Sequence, residues 1–434
     1  MGMVISTWSD IDSTAQCALL KRPAVPADGA IRDEAAEIIA LVRARGDAAV
    51  SELTRRFDGA DLETFRVSDR ELVAAATELN DDAQAAIDLA IANVRSFHEQ
   101  QLPQPISIET MPGVHCERVN HPLDSVGLYV PAGTAPLPST AVMLAVPAAI
   151  AACPTRIMCT PPRPDGTADP AVLVAASRAG IADIYKIGGA QAIAAMAYGT
   201  ESVPSVSKIF GPGNAWVTSA KLQVSLDPAG TTIDMPAGPS EVLIIADAAA
   251  SVEFVAADLL SQAEHGIDSQ VVLLTTSAEL AEQVRLEVEQ QLVSLSRAEI
   301  ARKALRDSPI VIVESLDIAI QISNRYAPEH LILQIANARD ALPAIRNAGS
   351  VFVGAWAPES VGDYCSGTNH VLPTYGFANS YSGLGVEHFL RQMTVQELTR
   401  DGLAGLSGAV VTLANLEGLD AHAAAVTRRL GEPS

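Results

Sequence analysis

The chain is short of cysteine, of positive charge and of long apolar runs, and each shortage removes a class of protein. Its five cysteines, Cys17, Cys116, Cys153, Cys159 and Cys365, are scattered and include no CxxC pair. That spacing argues against a thiolate zinc site or a disulfide framework and for reduced thiols in a cytosolic enzyme. Only 29 Lys and Arg stand against 51 Asp and Glu, a net charge of −22. Phosphate backbones need clustered basic side chains, so nucleic acid is not an expected partner. The acidic balance favours solubility and, mildly, a cationic substrate. The longest apolar run, Ala141–Cys153, is too short to span a bilayer and contains Pro147. MGMVISTWSDID has no basic stretch leading into an apolar core, so no signal peptide is expected either. Neither GxGxxG nor GxxxxGK[ST] occurs, so a dinucleotide would have to bind without the usual phosphate fingerprint.

What is present is a chain with 48% apolar and 18% charged residues, enough to bury several cores. Its 434 residues suggest about two to four domains. The first 25 residues are polar, end in KRPAVP and read as an N-terminal arm without its own core. From Ile31 apolar residues recur three and four apart, with a break at Gly46; Ser68 and Glu71 then form a capping box, and a long helix covers Asp81–His98. Short strands follow, ending with Val126–Val130. Beyond them, apolar strands such as Arg156–Thr160, Asp183–Gly188, Glu241–Asp247, Val271–Thr276 and Pro309–Ser315 alternate with helices, one opened by Asp169–Pro170. That alternation signals parallel sheets covered on both faces. The expected fold is α/β, with two Rossmann-like parallel-sheet domains, the second inserted into the first. Residues 26–128 and 240–383 are assigned to the first, 129–239 to the second, and 384–434 to a small helical C-terminal tail that must dock on something.

Most of the polar chemistry falls between Asn324 and Gly376 and in SQAEHG at Ser261–Gly266. Gln262 and His265, three apart at the end of a helix capped by Gly266, can converge on one ion, although a helix-terminal His is also favoured by the macrodipole alone. Glu329 and His330 lie at a loop-to-strand junction, where they would serve as proton-transfer groups or as one buried and one exposed neighbour. GDYCSGTNHVLPTYG reads as a long turn. In it Asp363 could give a hard oxygen to a metal and His370 a donor to substrate, or Asp363 could simply stabilise an Asx turn. Asn214 in IFGPGNAWV and Ser240 in DMPAGPSEV sit at strand ends, where α/β proteins bind ligands. Gly188, Gly189 and Gln191 open a helix whose free amides could receive a phosphate, although tight helix–strand packing explains the two glycines equally well. Tyr129 marks the crossing between sheets. Glu417 and His422 lie near the last helix, and in isolation His422 reads as a surface histidine.

Taken in order, YVPAGTAPLPST, GGAQAIAAMAYGTESVP, KIFGPGNAWVT, DMPAGPSEVL, LLSQAEHGIDSQ, NRYAPEHLI, GDYCSGTNHVLPTYG and MTVQEL resemble the histidinol dehydrogenase family over essentially the whole chain. The resemblance implies a zinc-dependent, NAD-linked oxidation of L-histidinol through the aldehyde to L-histidine, using two NAD+. It implies zinc ligands at Gln262, His265, Asp363 and His422, and proton-transfer groups at Glu329 and His330. It places NAD contacts at Tyr129, Gln191 and Asn214. Substrate contacts are implied at Ser240, Gln262, His265, His330, Asp363, His370, Glu417 and His422. It also implies a homodimer with exchanged tails, so that Glu417 and His422 enter the partner's site. Other chemistries compatible with the residues are a thiohemiacetal route through Cys116, Cys153 or Cys365, a relative acting on another amino or sulfonated alcohol, and a zinc-stabilised small-amine binding protein with no need of Glu329.

Overall fold

A computed structural model describes residues 3–22, 29–132, 135–235 and 238–431. Parts of three segments read above, KRPAVP, YVPAG and PAGPS, fall outside the described residues. The strands in chain order are β1 (Val4–Thr7), β2 (Ile106–Met111), β3 (Val114–Pro122), β4 (Ser125–Tyr129), β5 (Thr155–Thr160), β6 (Asp183–Lys186), β7 (Lys208–Phe210), β8 (Thr232–Ile233), β9 (Glu241–Ala246), β10 (Gln270–Thr275), β11 (Pro309–Ile312), β12 (His330–Gln334), β13 (Ser350–Val353) and β14 (Leu390–Leu398). They form two parallel sheets and one antiparallel sheet. The first parallel sheet runs β1-β11-β10-β9-β12-β13 and the second β6-β5-β4-β7-β8, while β14-β3-β2 is antiparallel. The parallel strands are continuously apolar because helices cover both faces, and residues such as Val242–Ala246 are buried without alternation. All five strands of the second sheet lie in sequence between β1 and β9 of the first.

Both parallel sheets repeat one winding. Numbered within itself, the second sheet has the order 3-2-1-4-5, and β9–β13 of the first have the same order with β1 added at the edge. A sheet wound this way opens a crevice where the direction of winding reverses, between β4 and β7 and between β9 and β12.

Local signals set several boundaries as expected. Ser68 and Glu71 close the capping box, Asn80 caps the helix Asp81–His98, and Asp169 caps the helix that starts at Pro170. Four expectations fail. The N-terminal arm is not coreless: β1 pairs in parallel with β11, Met3 is buried, and Trp8, Leu19 and Leu20 pack on the first sheet's core. The helices within 29–98, grouped above with 240–383, instead pack on the second sheet. Ala35, Ile38 and Leu53 share a core with Tyr129 and Ile193, while Ala75 and Val94 join Val126 and Leu144. The strand Ser125–Tyr129 is the centre of that sheet rather than the end of the preceding unit. Amphipathic helices declare a buried face but not which sheet will cover it. The tail is not purely helical, because β14 pairs with β3 before two helices, Arg400–Leu416 and Asp420–Leu430, close the chain.

Candidate active site

The carboxyl ends of β4, β5, β6 and β7 converge on one cavity of about 690 Å³. Tyr129 is the last residue of β4, Pro161 follows β5, Gly189 and Gln191 follow β6, and Pro212 and Asn214 follow β7; all line it. The opposite wall comes from the amino ends of the first sheet's central strands. Ser240 precedes β9, Glu329 and His330 open β12, and His265, Asp363 and His370 complete the wall. The cavity therefore joins nine of the twelve residues singled out from the sequence.

On the second-sheet side, Tyr129 is buried and its hydroxyl accepts a hydrogen bond from the Gly189 amide at 2.9 Å. Gln191 is buried in the first turn of the helix Gly189–Tyr198. Asn214 caps the helix Ala215–Leu226 by accepting from the Val217 amide. Its loop is fixed from beneath. Gly211 donates its amide to Asp234 at 2.8 Å and accepts from Lys221 at 2.7 Å, with Lys221 and Asp234 forming a buried ion pair. At Gly211, φ is +118° and an added Cβ would stand 2.1 Å from the Tyr129 carbonyl oxygen, so only glycine fits.

Glu329 and His330 are both buried, which removes the reading of one buried and one exposed neighbour. They face each other, with Glu329 Oε2 3.7 Å from His330 Nδ1. One residue holds both: the Glu241 amide donates to Glu329 Oε2 at 2.8 Å, and the Glu241 carbonyl lies 3.0 Å from His330 Nδ1. A carbonyl can only accept, so Nδ1 carries a proton, and in the neutral ring Nε2 presents its lone pair. Nε2 is buried with no hydrogen-bond partner, 3.6 Å from Asp363 Oδ1. Burial pushes the Glu329 carboxyl up, opposed by His330 and the Glu241 amide. For His330, burial opposes the charged form, but Glu329, Glu359 and Asp363 outweigh it and raise its pKa.

Asp363 sits on a short helix, Glu359–Tyr364, rather than in the expected turn. Burial works against its charge, yet His330, His370 and His265 outweigh this and hold its carboxyl below the usual range. His370 Nδ1 donates to the Asp363 carbonyl at 2.8 Å, and its Nε2 lies 3.1 Å from the Thr140 hydroxyl. The helix carrying Gln262 ends at Ala263 with Glu264 as its cap, so Gly266 is not the C-cap and His265 lies just beyond the helix. The two side chains still meet. With the Gln262 amide oriented to satisfy its neighbours, its oxygen accepts from His265 Nδ1 at 2.8 Å and its nitrogen donates to Glu359.

Two acidic residues in the site were missed. Glu359 is buried and its carboxyl is pushed well up by burial, His330 opposing. The ligand atoms of His330, Glu359 and Asp363 all lie within 4.8 Å of one another, and with Gln262 and His265 adjacent these nitrogen and oxygen donors suit a divalent cation. Asp58 lines the cavity with one buried carboxylate oxygen that lacks a partner; burial raises its pKa to about 6. Neither residue lies in a motif, so only their positions reveal them.

Among the expected residues, Gln262 is buried behind the cavity wall, and Glu417 and His422 do not line it. Glu417 stands exposed as the C-cap of the helix Arg400–Leu416, and His422 stands exposed on the helix Asp420–Leu430. No cysteine lines the cavity: burial raises the Cys153 thiol to about 11 and also raises that of Cys159. The Cys365 carbonyl accepts from Asn93, but its thiol is not part of the wall. Among the described residues, no helix is long and apolar enough to cross a membrane.

The fold and cleft define an α/β enzyme with a buried carboxylate–imidazole centre between two doubly wound sheets. The histidinol dehydrogenase family model matches residues 20–430. The chain is 55% identical over 423 residues to histidinol dehydrogenase of Vibrio vulnificus strain YJ016, covering 98% of this chain and 97% of the relative. It is 54% identical over 429 residues to that of Xanthomonas euvesicatoria pv. vesicatoria strain 85-10, covering 99% of each. The crystal structure of histidinol dehydrogenase from Elizabethkingia anophelis superposes with a TM-score of 0.95 at 44% identity, covering 99% of this chain and 98% of that one. The chain belongs to the histidinol dehydrogenase family, and it is an oxidoreductase of histidine biosynthesis.

Proposed function

We propose that the chain oxidises L-histidinol through the aldehyde to L-histidine with two NAD+ and one zinc ion per active site. The observation that carries this reading is the single cavity with Tyr129, Gln191 and Asn214 on one wall and Ser240, His265, Glu329, His330, Asp363 and His370 on the other. That arrangement suits a dinucleotide at the carboxyl ends of the second sheet, facing a small polar substrate on the first. When bound, zinc supplies an anchor for the substrate's nitrogens, and NAD+ supplies the hydride acceptor. Gln262, His265 and Asp363 would hold the ion, with His422 from the partner's tail as fourth ligand and Glu417 beside the substrate. Glu359 would orient the Gln262 amide.

In its neutral form His330 takes the hydroxyl proton on Nε2 in the first oxidation, the Glu241 carbonyl keeping the other ring nitrogen protonated. Glu329, desolvated beside it, then removes a proton from the water that hydrates the aldehyde. His370 and Ser240 complete the polar wall, and burial retains the reactive aldehyde between the steps. Asp58 fits a ribose hydroxyl: it needs a donor, and a neutral diol relieves its missing hydrogen bond without adding charge. Phe57 and Trp216 add exposed ring surface to the same cavity. A symmetric dimer with exchanged tails accounts for the exposed apolar residues of β2, β14 and the last helices, among them Ile108, Met393, Leu413 and Leu416. A cytoplasmic location accords with the free thiols.

The test is stoichiometry: two NADH formed per histidinol consumed, abolished by chelation and restored by added zinc. One NADH per substrate, or turnover indifferent to chelation, would overturn the reading.

A further inference from the structure

Both groups assigned to proton transfer hang from the backbone of a single residue. The Glu241 amide fixes Glu329 and the Glu241 carbonyl fixes His330. Glu241 opens β9, whose backbone pairs with β10 and β12, and its side chain is bound in addition by Arg22, 219 residues earlier in sequence. Arg22 grips the Glu241 carboxylate through Nε and Nη2, the latter at 2.9 Å. The same Nη2 donates to the Tyr326 carbonyl at 2.7 Å and reaches the Ala327 carbonyl at 3.4 Å. The guanidinium also lies 3.9 Å from the centre of the Tyr326 ring. The Tyr326 hydroxyl is anchored in turn on Gln270, whose amide donates back to the Lys21 carbonyl next to Arg22.

This geometry reaches the active site from two sides. Ala327 has φ +51°, a left-handed conformation that a residue with a Cβ adopts only under constraint, and it lies two residues before Glu329. The Arg22 fork thus holds the turn that presents Glu329 and His330 and, separately, the residue at the strand end whose amide and carbonyl orient them. Glu241 also accepts from the Tyr375 amide, tying in the loop that follows His370. A lysine could supply the charge but not the planar fork needed to meet a carboxylate and a carbonyl together. Arg22 and Glu241 do not line the cavity.

We infer that Arg22 is a positioning residue for the proton-transfer pair, setting the orientation of Glu329 and the tautomer of His330 through the backbone of Glu241. The inference rests on the assignment of Glu329 and His330 made above. It makes the N-terminal segment, through one side chain, part of what the reaction needs.

The experiment compares Arg22→Met and Arg22→Lys with the unaltered full-length chain. It measures kcat and KM for histidinol, metal content and thermal melting, with and without millimolar guanidinium ion. Arg22→Met should lower kcat by about 10- to 100-fold, as expected for reacting groups displaced by around an ångström, while KM changes less than about threefold. Guanidinium should recover part of the loss. Arg22→Lys, which keeps the charge and with it the fold, should show a smaller fall in kcat that guanidinium does not repair. Unchanged kcat in folded Arg22→Lys, or a loss confined to KM, would overturn the proposal. So would a loss matched by the folded fraction alone. Glu329→Gln and His330→Asn are assayed alongside: if these retain normal turnover, the assignment of the bases has failed, whereas if they are inactive and the Arg22 variants are not, only the positioning role has.

Discussion

Replacing Asp58 by Asn should make the protein more stable at alkaline pH while weakening its hold on the nucleotide. The Asp58 carboxyl is raised from 3.8 to about 6 by burial, with one oxygen unpartnered. A group whose folded pKa is raised binds its proton more tightly in the folded than in the unfolded state. Stability from this residue is therefore greatest below about pH 4, declines as pH rises through 6, and stays reduced above it. A shift of about two units corresponds to about 3 kcal/mol at most. Because the side chain is only partly buried, solvent screening cuts this to about 1–2 kcal/mol. Asparagine carries no charge but still has to place an amide, so the expected gain is about 1 kcal/mol at pH 8, shrinking towards pH 5. Urea unfolding of both proteins at fixed protein concentration, at a series of pH values, reads this difference while cancelling every other titrating group. In parallel, NADH affinity measured by fluorescence should fall on the order of tenfold, since a neutral acceptor bonds a hydroxyl more weakly than a carboxylate. A variant no more stable at pH 8, or a stability difference that ignores pH, would refute the argument from desolvation. Unchanged NADH affinity would remove Asp58 from the nucleotide site.

Other outcomes follow from the same geometry. Glu329→Gln should keep histidinol affinity but lose turnover of supplied aldehyde by about 100-fold or more; a binding protein would be indifferent to the change, and titration calorimetry with steady-state assays separates the two. If tails are exchanged, inactive Glu329→Gln and inactive His422→Asn chains should complement when mixed. Random pairing would restore about a quarter of the sites, and no recovery would place His422 outside the partner's site. Gly211→Ala should cost about 2–4 kcal/mol in chemical unfolding, because its Cβ meets the Tyr129 carbonyl, and NADH binding should suffer with it. Wild-type stability at Gly211→Ala would show that the loop relaxes freely.

The sequence was most informative where short-range chemistry decides. Ser68 with Glu71, Asn80 before Asp81, and Asp169 before Pro170 each satisfy helix amides within one turn, and the structure starts its helices there. The apolar strands from Arg156 to Ser315 were readable because parallel strands buried on both faces leave no room for alternation. The motif residues could be named from their order, but the arrangement of the site could not. Glu359 and Asp58 resembled any other acidic residues, and Arg22 lay within what read as a coreless arm. Asp363 was read as a turn residue because its glycine-rich surroundings mask a helix of only six residues.

By itself, then, the order of residues along the chain determined the α/β class, the two parallel sheets and the family, because local periodicity, caps and ordered motifs are written within a few turns of backbone. Tertiary structure alone decided which sheet the helices of 29–98 cover, that β1 completes the first sheet and β14 pairs with β3, and that the backbone of one residue, Glu241, supports both Glu329 and His330. Those outcomes depend on partners tens to hundreds of residues apart, and a buried charge or an unpaired oxygen becomes recognisable only once packing has taken the water away.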